Sequence, residues 1–107
     1  MVHIVVAALL AQSSPTSAQR IADAVEAWGA CVEKEGALRD TNGAAALGIA
    51  NAALSSCAGK EAEFRNAWRA EYGDDRSRTA TLALRESLAA KLKHSIERKR
   101  CKTCISR

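Results

Sequence analysis

The sequence has few of the residues that catalysis or β-structure usually requires. Its 107 residues include one proline, one phenylalanine, one tyrosine and two histidines. β-Branched residues are scarce whereas alanine and leucine dominate, and this composition favours helices over sheets. The sequence contains no HExxH motif, no glycine-rich phosphate loop and no plausible Ser/His/Asp set. We therefore expect an all-α protein that is not an enzyme, with no catalytic residue, no cofactor and no metal site.

The N-terminal apolar run is too short to cross a bilayer, which needs about 20 apolar residues. This run, IVVAALLA, extends from Ile4 to Ala11 and is followed by a polar segment that ends in small residues at Ala18. That order is typical of a secretory signal peptide. We therefore expect residues 1–18 to be a cleaved signal peptide and residues 19–107 to form one small domain, exported to the periplasm or secreted.

A buried N-terminal helix is the alternative interpretation of this region. The charged segment that usually opens a signal peptide is almost absent, since only the initiator amine and His3 precede the apolar run. Moreover, Thr16 and Gln19 have the spacing of a capping box, so Thr16 can begin a helix that cleavage after Ala18 would truncate.

Apolar residues recur at helical spacing in three segments of the mature chain, which predicts three helices. Gly36 is expected to stop the first helix, and Gly59 is the position where the second can divide into two. Glu61 interrupts the apolar face of the second helix, and Asp74 or Asp75 can cap the third. The three segments are Gln19–Glu35, Ala44–Tyr72 and Arg76–Arg100.

Cys31 and Cys57 are the most informative pair of residues after the N-terminal segment. Each lies on or beside the apolar face of its predicted helix, and the turn near residue 42 is close to the midpoint between them. An antiparallel hairpin therefore brings them to a similar level, and an oxidising compartment favours a disulfide. We predict a disulfide-stapled helical hairpin with a third C-terminal helix packed across it.

The Cys101-Lys-Thr-Cys104 motif leaves three interpretations open. The two cysteines can pair with each other, serve as a redox or metal-binding pair, or pair separately with Cys31 and Cys57. No predicted strand precedes the motif, which argues against a thioredoxin-like role, whereas the neighbouring basic residues favour thiolates. We assign all four cysteines to disulfides and leave the connectivity open.

The aromatic residues Phe64, Trp68 and Tyr72 follow one another at steps of four along the second predicted helix. A ligand-binding shelf is conceivable, but aromatic residues dominate small cores. We therefore expect these residues to pack in the core, with Trp28 against Phe64 or Trp68, and Tyr72 to reach water.

Positive charge is concentrated at the C-terminus. Residues 91–107 contain seven Lys or Arg residues against Glu97 alone, whereas the rest of the chain has nine basic and eleven acidic residues. This asymmetry is typical of an interaction segment. Nucleic acid is not expected as a partner, because no aromatic residue interleaves with the basic ones. The candidate binding residues are Lys91, Lys93, Arg98, Lys99, Arg100 and Lys102.

We therefore expect a small exported protein that acts by binding another protein or an anionic membrane or envelope surface. The alternative is a thiol-redox or metal-binding protein that uses Cys101 and Cys104. If the N-terminal segment is not a leader and the protein is cytosolic, we expect all four cysteines to serve in metal binding or redox chemistry and not in structural disulfides. The oligomeric state is left open.

Overall fold

The computed structural model describes residues 16–41 and 43–101, and within these ranges the protein consists of four helices and no strand. The helices are α1 (Ser17–Arg39), α2 (Ala46–Ser56), α3 (Ala58–Tyr72) and α4 (Asp74–Arg100). The predicted all-α class is confirmed. None of the described helices is long and apolar enough to span a bilayer.

Helix α1 is longer than predicted at both ends. The Thr16 hydroxyl accepts a hydrogen bond from the Gln19 amide at 3.1 Å, so Thr16 caps a helix that begins at Ser17. The predicted stop at Gly36 is wrong, because Gly36 is buried inside the helix. A Cβ at this position would lie 2.7 Å from both Leu92 methyl groups. The missing side chain therefore allows α4 to approach α1, and the helix continues past the glycine.

The segment predicted over residues 44–72 forms two helices and not one unbroken helix, as the alternative interpretation allowed, but it divides at Cys57, two residues before Gly59. Cys57 has φ −100° and ψ 23°, outside the helical range. Its amide still donates to the carbonyls of Ala53 and Leu54, both at 3.1 Å, so the backbone bends with its hydrogen bonds satisfied.

A single glycine separates α3 from α4. Gly73 has φ +92°, a conformation that side-chain-bearing residues rarely adopt. Its amide donates to the Arg69 carbonyl at 2.9 Å, and its carbonyl accepts from the Ser77 amide at 3.0 Å. The predicted capping by Asp74 or Asp75 is wrong: both lie in the first turn of α4, where their charge complements the helix dipole.

The α2–α3 segment lies between the two long helices. Both α1 and α4 pack along α2 and α3, whereas α1 and α4 contact each other less. The core is centred on Trp28, Val32, Ala50, Ala53 and Phe64, all at most 2% exposed. The predicted hairpin is thus supported in part: two helices replace its second arm.

The Cys31–Cys57 disulfide joins α1 to the bend between α2 and α3. The two Cα atoms are 6.0 Å apart, and Cys57 is almost fully buried. The bond therefore ties together two segments separated by 26 positions in the sequence, as the spacing of the two cysteines predicts.

Candidate functional site at the end of α4

Four of the six candidate binding residues, together with His94, lie around the α1–α4 contact. A groove of about 370 Å³ runs between these helices and is lined by Lys91, His94, Arg98 and Lys99 from α4. We call it the C-terminal groove. Buried Leu92 and Ile96 contribute apolar surface, and α1 contributes Gly29, Val32, Glu33, Gly36 and Ala37, with Asp40 just beyond its end. The fourth candidate residue of the set, Arg100, contacts Asp40 at one end of the groove.

Three of the candidate cations are available for a partner. The side chains of Lys91, Arg98 and Lys99 form no hydrogen bond or ion pair with any other residue that the structure describes. All three side chains belong to exposed residues. The nearby acidic side chain of Glu33 offsets part of this charge. The groove therefore presents a positive surface.

The side chain of Arg100 has a structural role, because its hydrogen bonds hold the connection between α1 and α2. Its guanidinium donates to Asp40 Oδ1 at 2.5 Å, to the Ala44 carbonyl at 2.6 Å and to the Thr41 carbonyl at 3.2 Å. These partners belong to the connection between α1 and α2, so Arg100 fastens the end of α4 to that turn. Charge-assisted bonds of this kind are stronger than neutral ones.

The remaining two candidates differ from both groups. Lys93 forms an exposed ion pair with Glu97 at 3.2 Å, one helical turn away. Lys102 lies outside the described residues, as do residues 103–107. The structure thus separates the basic residues that the charge count treats as equivalent.

The cysteines of the C-terminal motif are only partly described. Cys101 follows α4 directly and is not a free thiol, while Cys104 lies outside the described residues. Among described residues, no group of three or more His, Cys, Asp or Glu side chains is placed to hold a metal ion. The redox alternative for Cys101 and Cys104 stays a prediction.

The aromatic residues form a continuous ladder from the core to the surface. Ring centroids are 5.6 Å apart for Trp28 and Phe64, 5.8 Å for Phe64 and Trp68, and 5.0 Å for Trp68 and Tyr72. Trp28 and Phe64 are buried, whereas Tyr72 is 47% exposed. The predicted contact between Trp28 and Phe64 is confirmed and joins α1 to α3, and Trp68 packs against the same core.

A partly buried ion pair between α3 and α4 was missed by the sequence analysis. Glu61 is 8% exposed and receives two hydrogen bonds from Arg85: one from Nε to Oε1 at 2.9 Å and one from Nη2 to Oε2. The pKa of Arg85 is raised, chiefly by the hydrogen bond with Glu61. Burial lowers this pKa in part, and the negative charge of Glu61 raises it further. The carboxylate in an apolar stripe was the available signal, because buried charges require a partner.

No protein-family model matches this chain, and neither a curated protein nor a solved structure shows significant similarity to it. The geometry of its own residues is therefore the basis for a functional assignment.

Proposed function

We propose that this protein is a small exported, non-catalytic binding protein. Its basic C-terminal segment contacts an acidic protein surface or the anionic surface of an envelope membrane. The proposal rests chiefly on one observation: Lys91, Arg98 and Lys99 line a single groove without partners among the described residues. In this proposal a disulfide-stapled hairpin serves as the scaffold, and the third helix packed across it carries the contact residues.

The expected strength follows from the charges. A basic side chain close to an anionic membrane contributes about 1 kcal/mol, so three together contribute roughly 3 kcal/mol. That corresponds to roughly a hundredfold in affinity. Exposed charges are screened by salt, so binding should weaken as ionic strength rises.

The test compares two variants with the same loss of charge. The first replaces Lys91, Arg98 and Lys99 with glutamine and leaves Arg100 intact, because Arg100 holds the α1–α2 turn. The matched control replaces Arg20, Lys34 and Lys60, which are exposed residues outside the C-terminal groove. Each protein is sedimented with vesicles of phosphatidylglycerol and, separately, of phosphatidylcholine.

The wild type and the control should sediment with phosphatidylglycerol vesicles, and the groove variant should remain in the supernatant. A parallel measurement with soluble polyglutamate tests the acidic-protein form of the proposal. Equal binding by wild type and groove variant in both measurements would contradict the assignment, as would equal losses in the groove variant and the control.

A further inference from the structure

A second basic groove lies between α3 and the first half of α4, away from the C-terminal groove. Four arginines line it: Arg65, Arg69, Arg78 and Arg85. We call it the arginine groove. Its volume is about 420 Å³, which falls within the range of small-molecule sites.

The helices bring these arginines together from distant positions. Arg65 and Arg69 are four residues apart on α3, and Arg78 and Arg85 are seven apart on α4. Either spacing places both side chains on one face of a helix. Because α3 and α4 pack against each other, the two faces border one groove.

Acidic neighbours neutralise only part of this charge. Glu61 binds Arg85 and lies 3.7 Å from Arg65, and Asp74 lies 3.7 Å from Arg69. The side chain of Arg78 has no ion pair or hydrogen bond with any residue in the described part of the chain. Four guanidinium groups and two carboxylates leave two positive charges in excess.

A buried hydroxyl joins the two sides of the groove, and a second one lies one turn along α4. Ser77, 1% exposed, donates from Oγ to the Arg65 carbonyl at 2.7 Å, and Thr81 donates to the Ser77 carbonyl at the same distance. The bond from Ser77 joins α4 to the backbone of the residue that carries one of the four guanidinium groups. The backbones that carry the arginines are therefore held in a fixed relation, which lowers part of the entropic cost of binding a ligand.

We propose that the arginine groove binds a soluble phosphate monoester. A phosphate monoester carries a charge of about −1.5 to −2 at neutral pH, which matches the excess of two positive charges. Guanidinium groups bind phosphate oxygens in a bidentate manner, and every basic residue of this groove is arginine. The site is independent of the membrane or protein contact assigned to the C-terminal groove, because the two share no residue.

Glycerol 3-phosphate is the probe, titrated into the full chain at constant ionic strength and followed by calorimetry. One variant replaces Arg65 and Arg78 with glutamine, and a second replaces Arg78 alone, whose side chain has no described partner to lose. The control replaces Arg20 and Lys34, which lose the same charge outside the groove. Methyl sulfate serves as the monoanionic control compound.

The wild type should bind glycerol 3-phosphate more tightly than methyl sulfate. The double variant should bind about tenfold more weakly or worse, and Arg78→Gln should fall between it and the wild type. The Arg20/Lys34 control should stay within about twofold of the wild type. No binding by the wild type, or equal losses in the groove and control variants, would overturn the proposal.

Phosphatidate vesicles distinguish a lipid headgroup from a soluble ligand. Binding of these vesicles that depends on Arg65 and Arg78, without binding of glycerol 3-phosphate, would overturn the assignment to a soluble molecule. This result is distinguishable from failure of the proposed membrane or protein contact, which depends on Lys91, Arg98 and Lys99.

Discussion

The two halves of the α2–α3 segment bury different kinds of side chain. The buried residues of α2 are apolar: Ala46, Ile49, Ala50, Ala53 and Leu54. The buried residues of α3 are Glu61 and Phe64. Helix α4 repeats the contrast, with Ser77 and Thr81 buried in its first half and Leu92 and Ile96 buried in its second.

The contrast shows that different contacts stabilise this small protein and set the alignment of its helices. Apolar burial and a disulfide stabilise the α2 half, but apolar attraction has no direction. The polar contacts of the α3 half have defined donors and acceptors, so they specify how α3 and α4 align. The arginine side chains of that half stay partly exposed, as the proposed phosphate site requires.

Of the changes considered, loss of the disulfide should lower the free energy of unfolding the most. In a Cys31→Ala/Cys57→Ala variant, we expect the free energy of unfolding to fall by about 3.5 kcal/mol, because the unfolded chain regains the entropy of a long loop. Denaturant unfolding at fixed pH measures this loss. An unchanged midpoint would show that the α2 half does not depend on its covalent bond.

The ion pair of the α3 half should have the next largest effect. A double-mutant cycle with Glu61→Ala and Arg85→Ala should give a coupling energy of about 2 kcal/mol, because the carboxylate is buried and bound by two hydrogen bonds. The value is below that of a fully buried pair because the Arg85 side chain is 42% exposed.

The exposed pair of Lys93 and Glu97 is the matched control for this cycle. Its coupling energy should be about 0.5 kcal/mol or less, as is typical of solvated pairs one turn apart on a helix. Equal coupling energies in the two cycles would mean that the Glu61–Arg85 contact adds nothing beyond a surface ion pair.

The apolar packing was predictable from sequence, including Phe64 on α3, whereas the polar contacts of the α3 half were not. The spacing of Cys31 and Cys57 and the periodic apolar residues identified the disulfide and the helical class. The arginine groove depends on bringing together residues up to 20 positions apart on two helices, and a count of charge along the chain placed them in a region with no excess of positive charge. Likewise, a glycine in a helix can end the helix or allow a second helix to pack closely. Gly36 allows close packing, because Leu92 of α4 lies against it.

Substitutions at two glycines should give small effects of opposite sign. Gly48 lies in α2 with open space around it, so Gly48→Ala should stabilise the protein by up to about 1 kcal/mol. Gly36→Ala should instead destabilise it by about 1 kcal/mol, because the new methyl group overlaps Leu92 in the core. Thermal unfolding of both variants measures the difference. A similar gain in both would show that the α1–α4 contact is loosely packed.

The account depends above all on export with disulfide formation. Export in turn lowers the stability of α1. Cleavage after Ala18 removes the Thr16 cap, which is worth about 1 kcal/mol; the remaining packing and the disulfide have to offset that loss. Intact mass spectrometry of the protein made from the full chain, alkylated at the moment of lysis, tests the claim most directly. We predict a chain that begins at Gln19 with no alkylated cysteine. A chain that begins at Met1 with all four cysteines alkylated would contradict the account.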